Sequence, residues 1–96
     1  MKTIHTTEVF ERWFDGLRDR QGKARIDARL RRVTLGNLGD VRAVGEGVSE
    51  LRIDCGPGYR VYWTLRGLDI VILLAGGDKS TQEKDIKAAI DLSKLL

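Results

Sequence analysis

The sequence of 96 residues contains one cysteine, Cys55, and one histidine, His5, and each scarcity excludes a class of chemistry. A single cysteine cannot form an intramolecular disulfide, and Cys55 falls on the apolar side of a predicted strand, which favours a small buried hydrophobic residue. A single histidine excludes a multi-histidine metal site, so neither a metal nor another cofactor is expected. The chain also lacks a Walker-type phosphate loop and a serine with histidine and aspartate partners, so nucleotide hydrolysis and acyl transfer have no support.

Long apolar stretches are absent as well. The longest run, residues 70–75, is far shorter than the ~20 residues that a membrane-spanning helix needs, and the first residues carry no secretory hydrophobic region. A cytoplasmic protein without membrane contact is therefore expected. Hydrophobic residues at 42% and charged residues at 32% are ordinary globular values, and 96 residues suffice for one modest core, so residues 1–96 are predicted to form a single domain.

Positive charge, in contrast, is abundant in one segment. The formal net charge is +3 at pH 7, and residues 18–32 carry seven lysine and arginine residues against two aspartates. Such a stripe attracts RNA, DNA or an acidic protein without selecting among them. A solvated helix face would have the same composition. The arginines expected on the outer face of this segment are Arg25, Arg29 and Arg32.

Apolar periodicity predicts an α+β domain with one layer of helices on one sheet. A strand over residues 1–6 precedes a helix capped by Thr7, and a second helix is predicted over residues 23–33 after a break at Gly22. A strand at 41–44 and an antiparallel meander from residue 48 follow, and the third meander strand, about 68–75, is apolar enough to be covered on both faces. Residues 80–83, Ser-Thr-Gln-Glu, have the capping-box spacing that begins a final helix.

The turn Gly-Pro-Gly at residues 56–58 is the most informative local signal. Proline presets its own φ and glycine accepts positive φ, so these residues predict a tight hairpin between two alternating strands. With a three-residue loop, the predicted register places Asp54 opposite Arg60 and Arg52 opposite Tyr62, all on one polar face. A cross-strand ion pair of Asp54 with Arg60 is one interpretation of this face, and a binding surface is the other.

A second polar segment, Gly-Gly-Asp-Lys at residues 76–79, lies where the third meander strand is expected to end. Free backbone N–H groups and Lys79 at such a junction can bind a phosphate. The alternative is a simple exit turn in which Asp78 caps the helix or pairs with Lys79.

These segments in combination resemble the RelE/ParE toxin superfamily, and most closely its HigB-like, phage-derived addiction-module branch. The resemblance covers nearly the full chain and is carried by residues 50–53, by Gly-Pro-Gly-Tyr-Arg-Val-Tyr at 56–62, and by residues 74–82 with Asp85 and Ile86. It implies an α+β RelE-like fold, in which two N-terminal helices pack on a small antiparallel sheet, with a C-terminal helix. It also implies an adjacently encoded antitoxin, usually one with a helix-turn-helix domain.

The resemblance further implies the toxin of a type II toxin–antitoxin module, a ribosome-dependent endoribonuclease that cleaves mRNA and inhibits translation. Cleavage by the RNA 2′-hydroxyl needs no metal, only in-line geometry, proton transfer and positive charge at the phosphate. Arg60 matches the arginine of the family's Gly-Tyr-Arg strand, and Arg52 and Lys79 match neighbouring basic positions. The predicted catalytic residues are therefore Arg52, Arg60 and Lys79, and the predicted RNA-binding residues are Arg25, Arg29, Arg32, Tyr62 and Gln82.

Two departures from the RelE pattern leave alternatives open. Glu50 stands where a second basic residue is expected, and the final helix contains no tyrosine. The general base is therefore unassigned among Lys79, Tyr62 and ribosomal RNA. A ParE-like toxin that inhibits DNA gyrase without nuclease activity is one alternative function, and a basic nucleic-acid-binding accessory module that uses residues 18–32 is another.

Overall fold

Five strands form one sheet, with helices on both of its faces, in the computed structural model, which describes residues 1–96. The elements in chain order are β1 (Thr3–Thr6), α1 (Glu8–Gly16), α2 (Arg20–Thr34), β2 (Val41–Gly45), β3 (Val48–Ile53), β4 (Tyr59–Arg66), β5 (Ile70–Asp78), a 3₁₀ turn (Lys79–Thr81) and α3 (Gln82–Lys94). The α+β class and the order of elements agree with the prediction. None of the helices has both the length and the apolar character to cross a membrane.

The sheet has the strand order β1-β5-β4-β3-β2 and is mixed rather than purely antiparallel. The strands β3 to β5 form the predicted antiparallel meander, and β2 extends it by pairing antiparallel with β3. The strand β1, however, runs parallel to β5, with Thr3 beside Ile70. Parallel neighbours need a long crossover connection, and the helices and strands between β1 and β5 supply one. The prediction of an antiparallel sheet is therefore wrong at this edge.

Two apolar clusters lie on the two faces of the sheet. The helices α1 and α2 contribute Phe10, Ile26 and Val33 to a cluster that also contains Leu51, Val61 and Leu73. On the other face α3 contributes Ala89, which packs with Val48, Tyr62, Ile72 and Leu74. The predicted single layer of helices is wrong, because the buried residues of β5 alternate between the two clusters and each set needs its own cover. The prediction that β5 is covered on both faces is confirmed.

The starts of α1 and α2 are set by side-chain caps. The Thr7 hydroxyl accepts a hydrogen bond from the Phe10 N–H at 3.1 Å, which confirms the predicted cap. The Asp19 carboxylate accepts one from the Gly22 N–H at 3.0 Å, so α2 begins at Arg20 and Gly22 lies inside it. The predicted break at Gly22 is therefore wrong. A Cβ at Gly22 would lie 2.5 Å from the Tyr59 ring, so the glycine allows close packing of α2 on β4.

Candidate functional site

The β3–β4 turn takes five residues, 54–58, instead of the predicted three. The Cys55 N–H donates to the Ile53 carbonyl at 2.9 Å and the Gly58 N–H donates to the Cys55 carbonyl at 3.1 Å, so Asp54 and Cys55 belong to the turn. Both glycines of the turn have positive φ, as the Gly-Pro-Gly signal predicted.

The longer turn shifts the hairpin register by two residues from the prediction. Arg52 lies opposite Arg60, and Glu50 lies opposite Tyr62. Asp54 consequently does not face Arg60, and the predicted ion pair between them is not formed. Like charges directly opposite each other destabilise an antiparallel pair, so the placement of two arginines here has a cost for folding.

The three predicted catalytic side chains line one concavity of about 460 Å³ at this end of the sheet. Arg52 comes from β3, Arg60 from β4, and Lys79 from the turn after β5. No hydrophobic residue contributes to the lining. The remaining lining residues are Asp40, Asp54, Gly56, Pro57 and Gly58.

The guanidinium of Arg60 is held against the turn by the backbone. Its Nη1 donates to the carbonyls of Gly58 at 3.1 Å and Tyr59 at 3.2 Å. Its Nε is buried and has no hydrogen-bond partner. A buried donor without a partner costs free energy, so the position of Arg60 is imposed by the fold and not optimised for stability. A charge fixed in advance suits the stabilisation of an anion that develops during a reaction.

Lys79 is exposed, and no carboxylate lies within ion-pair distance of its amine. Asp78 does not pair with Lys79, because its carboxylate accepts a hydrogen bond from the Ser80 N–H at 2.8 Å and so caps the 3₁₀ turn. The ammonium of Lys79 is therefore available to a ligand in the concavity.

Gly76 and Gly77 lie inside β5, where they pair with Val61 and Arg60 of β4. Gly76 and Gly77 are thus neither an exit turn nor a source of free N–H groups, so both predictions for the glycines are wrong, whereas the predicted cap by Asp78 is confirmed on the 3₁₀ turn that leads into α3. Each glycine leaves room for a side chain that packs closely on one face of the sheet. A Cβ at Gly76 would lie 2.1 Å from the Trp13 ring, and one at Gly77 would lie 1.8 Å from the Asp85 carboxylate.

Of the predicted RNA-binding arginines, only Arg25 and Arg32 are exposed. They line a cleft of about 370 Å³ that shares Asp54 with the basic concavity. Arg29 also lines this cleft, but it is half-buried and its guanidinium donates to the carbonyls of Arg52, Leu38 and Asp40. Burial lowers the pKa of Arg29 from its usual value. The predicted outward position of Arg29 is wrong because the loop at residues 35–40 folds back over it.

Tyr62 and Gln82 do not form the base-binding surface that was predicted. Tyr62 is fully buried under α3, and its hydroxyl has no hydrogen-bond partner. Burial is the main cause that raises the pKa of Tyr62, and the nearby Glu50 carboxylate raises it further. A ring with no exposed surface cannot stack on a base, so Tyr62 is not a candidate ligand contact. The Gln82 amide donates to both oxygens of Glu50, at 2.9 and 3.1 Å, and is committed to that carboxylate.

Three polar features near the site were missed by reasoning from the sequence. Glu50 is completely buried, with the Nε of Arg42 at 3.9 Å from its carboxylate. Asp40 lies 3.4 Å from the Nε of Arg52. The Tyr59 hydroxyl donates to Asp19 at 2.8 Å, and burial together with this bond raises the pKa of Tyr59 to about 12. Arg42 and Glu50 are cross-strand partners in the β2–β3 hairpin, so its register could have paired them, whereas Asp40 with Arg52 and Tyr59 with Asp19 are joined by no local pattern.

The site residues offer charge without a metal-binding arrangement. No cluster of three or more histidine, cysteine, aspartate or glutamate side chains is placed to hold a metal ion. The concavity presents two guanidinium groups and one ammonium group together with the carboxylates of Asp40 and Asp54. Its basic groups match the hydrogen-bond acceptors and charge of a phosphate.

Fold and site together define a small α+β protein with a basic concavity of a size and charge suited to a phosphate-bearing ligand. The chain belongs to the family described as Phage derived protein Gp49-like (DUF891), which it matches over residues 12–94. It is also 52% identical, over 86 residues, to an uncharacterized protein of Haemophilus influenzae, an alignment that covers 90% of this chain and 87% of that protein. No solved structure matches the chain significantly.

Proposed function

We propose that this protein is the toxin of a type II toxin–antitoxin module and that it cleaves mRNA on the ribosome. Its membership of a phage-derived family and its HigB-like motifs support the toxin assignment. The nuclease assignment is carried by one observation, the convergence of Arg52, Arg60 and Lys79 on a single concavity. Its site of action is the cytoplasm, and its partners are the ribosome, mRNA and an adjacently encoded antitoxin of the helix-turn-helix type.

In this proposal the RNA 2′-oxygen attacks the neighbouring phosphorus, and the bond from phosphorus to the 5′-oxygen breaks. Arg60 binds the scissile phosphate, because its guanidinium is fixed by the Gly58 and Tyr59 carbonyls and a guanidinium presents a planar set of donors that matches phosphate oxygens. Arg52, directly across the strand pair, adds a second positive charge. Charge on the phosphate rises in the transition state, so prearranged cations accelerate this step.

The 2′-hydroxyl gives up its proton and the leaving 5′-oxygen takes one, which leaves a 2′,3′-cyclic phosphate and a 5′-hydroxyl. These proton transfers are assigned to Lys79 or to a group of the ribosome. The burial of Tyr62 removes the third candidate. Lys79→Arg and Lys79→Ala separate the two possibilities, because arginine keeps the charge but cannot release its proton near neutral pH. If Lys79 transfers a proton, both variants lose cleavage. If it supplies charge alone, Lys79→Arg keeps most of the activity.

Arg25 and Arg32 are proposed to bind ribosomal RNA. They are exposed in a cleft that adjoins the concavity through Asp54, so one RNA backbone can contact both. Such contacts contribute affinity that falls with salt, whereas Arg52, Arg60 and Lys79 act on the reacting phosphate. The Arg25→Ala, Arg32→Ala double variant is therefore expected to cleave more weakly and with greater sensitivity to salt, without a change in cleavage position.

A ParE-like function is the second candidate, and one observation favours it. Both tyrosines are buried and the only histidine is in β1, so the concavity contains no aromatic acid or base. A basic surface without such a group is suited to binding a partner such as DNA gyrase without cutting RNA.

The deciding experiment is the mapping of new 5′ ends on a defined mRNA in a purified translation system, with ribosome-free RNA beside it. Wild type is compared with Arg60→Ala and with Arg66→Ala, a matched control because Arg66 is exposed at the far end of the same strand. Ribosome-dependent cuts that Arg60→Ala loses and Arg66→Ala keeps are expected. Growth arrest in cells without cuts would refute the nuclease and support gyrase as the target, to be checked by a supercoiling assay.

A further inference from the structure

Asp40 contacts Arg52 through both its backbone and its side chain. The Asp40 carbonyl accepts a hydrogen bond from the Arg52 N–H at 2.9 Å, and its carboxylate lies 3.4 Å from the Arg52 Nε. Asp40 is the only residue that forms an ion pair with Arg52. Asp40 also lines the basic concavity together with Arg52. An acidic residue inside a basic site therefore needs an explanation.

The loop that carries Asp40 is fixed in place by Arg29. Nη2 of Arg29 donates to the carbonyls of Leu38 at 2.9 Å and Asp40 at 3.2 Å, while Nη1 donates to the Arg52 carbonyl at 2.6 Å. Gly39 has a φ of +66°, and a Cβ there would lie 2.9 Å from Nη2 of Arg29, so the glycine permits this close approach. Asp40 is thus held on the same guanidinium that holds the backbone of Arg52.

We propose that Asp40 is a positioning residue that holds the Arg52 guanidinium toward the concavity. This inference rests on the proposed function, because there Arg52 binds a phosphate of RNA. A carboxylate at Nε leaves the two terminal amino groups of the guanidinium free to bind phosphate oxygens. It also reduces the repulsion between Arg52 and Arg60, which lie directly opposite each other. Without Asp40, Arg52 swings away from Arg60 and from the bound phosphate.

Asp54 provides a matched control for Asp40. Both aspartates line the concavity. Asp40 forms an ion pair with Arg52, whereas Asp54 takes part in none of the ion pairs of the structure. Asp40→Asn and Asp54→Asn remove the same charge from the same lining, so a purely electrostatic role predicts that both variants bind RNA more tightly and to the same degree. A positioning role predicts opposite changes, because only Asp40→Asn releases Arg52.

The measurement is the dissociation constant of a fluorescently labelled single-stranded RNA at one fixed ionic strength, for wild type and both variants, with and without Arg52→Ala. Asp40→Asn is expected to bind at least about threefold more weakly than Asp54→Asn. In the Arg52→Ala background the two variants are expected to bind equally. Equal affinities in the presence of Arg52 would overturn the proposal, and so would a difference that persists without Arg52.

A second readout separates failure of this proposal from failure of the proposed function. The Nε–H signal of Arg52 in a ¹H–¹⁵N spectrum, assigned by its loss in Arg52→Lys, reports the ion pair whether or not RNA binds. Its chemical shift is expected to move in Asp40→Asn, which removes the carboxylate 3.4 Å from Nε, and to stay at the wild-type position in Asp54→Asn. An unchanged signal in Asp40→Asn overturns the positioning role, whereas a wild type that binds no RNA yet shows this pattern refutes only the assignment to RNA.

Discussion

Replacing Gly76 with alanine tests whether the packing of Trp13 of α1 on β5 requires a glycine at this position. The new Cβ would lie 2.1, 2.3 and 2.5 Å from three atoms of the Trp13 ring. Ordinary carbon contacts are about 3.5–4.0 Å, so the ring has to retreat by roughly 1.5 Å. Trp13 cannot retreat freely, because its ring also packs against Phe10 and Tyr59 at centroid distances of 5.8 and 6.2 Å.

The expected loss follows from these contacts. Overpacking a core costs about 1–3 kcal/mol, and each disturbed aromatic pair adds about 0.5–1.5 kcal/mol. With two disturbed pairs, Gly76→Ala is therefore expected to lower the free energy of unfolding by about 2–6 kcal/mol. For a domain of this size, such a loss lowers Tm by roughly 10–50 °C.

Urea denaturation followed by circular dichroism at 222 nm measures the change. Gly16→Ala is the matched control, because a Cβ at Gly16 would have no atom within 4 Å and the φ of this residue is not positive. Its unfolding free energy should stay within about 0.5 kcal/mol of wild type or rise slightly. In a Trp13→Leu background, the cost of Gly76→Ala should shrink by at least about 1 kcal/mol. A Gly76→Ala protein as stable as wild type, or an equal loss in both backgrounds, would refute this account.

Three further predictions concern polar groups inside the fold. Tyr62→Phe removes a buried hydroxyl that has no partner, so the unfolding free energy should stay constant or rise by up to about 1 kcal/mol, and a loss above that in urea titrations would contradict the assignment. The pKa of Tyr59 is raised to about 12, above its unfolded value of about 10. Its contribution to the free energy of unfolding is therefore complete below pH 10 and falls as the pH rises toward 12. Denaturation series over this pH range should show a shallower decline in stability for Tyr59→Phe than for wild type. Arg29→Met removes the donors to three carbonyls and should cost about 1.5–3 kcal/mol, whereas Arg25→Met, on the exposed face of α2, should change stability by less than about 0.5 kcal/mol; equal losses in thermal denaturation would refute the structural role of Arg29.

The parts of the fold that could be predicted from the sequence depend on neighbouring residues. The Thr7 cap and the positive φ values of the Gly-Pro-Gly turn are both local, and each is confirmed. The α+β class and the order of elements follow from such signals in succession. The pairing of β1 with β5 could not be predicted, because a short strand carries no mark of its distant neighbour.

The site was predictable only where strand alternation sufficed. Alternation places Glu50, Arg52, Arg60 and Tyr62 on one face of the hairpin, and the structure agrees, although the register differs. It cannot distinguish the part of that face that α3 covers from the part that stays open. Glu50 and Tyr62 are therefore buried while Arg52 and Arg60 line the concavity, and the boundary is set by the position of Gln82 at the start of α3.

The parallel pairing of β1 with β5 has a consequence for when the protein becomes complete during synthesis. Thr3 of the first strand pairs with Ile70, and the Thr7 hydroxyl donates to the Leu74 carbonyl across 67 positions of the chain. The strand made first therefore has no partner until β5 has left the ribosome. Contacts of such long sequence separation form late and slowly. Lys79, the last of the three basic residues, follows β5 directly, so the nascent chain acquires its sheet edge and its full charge set almost together.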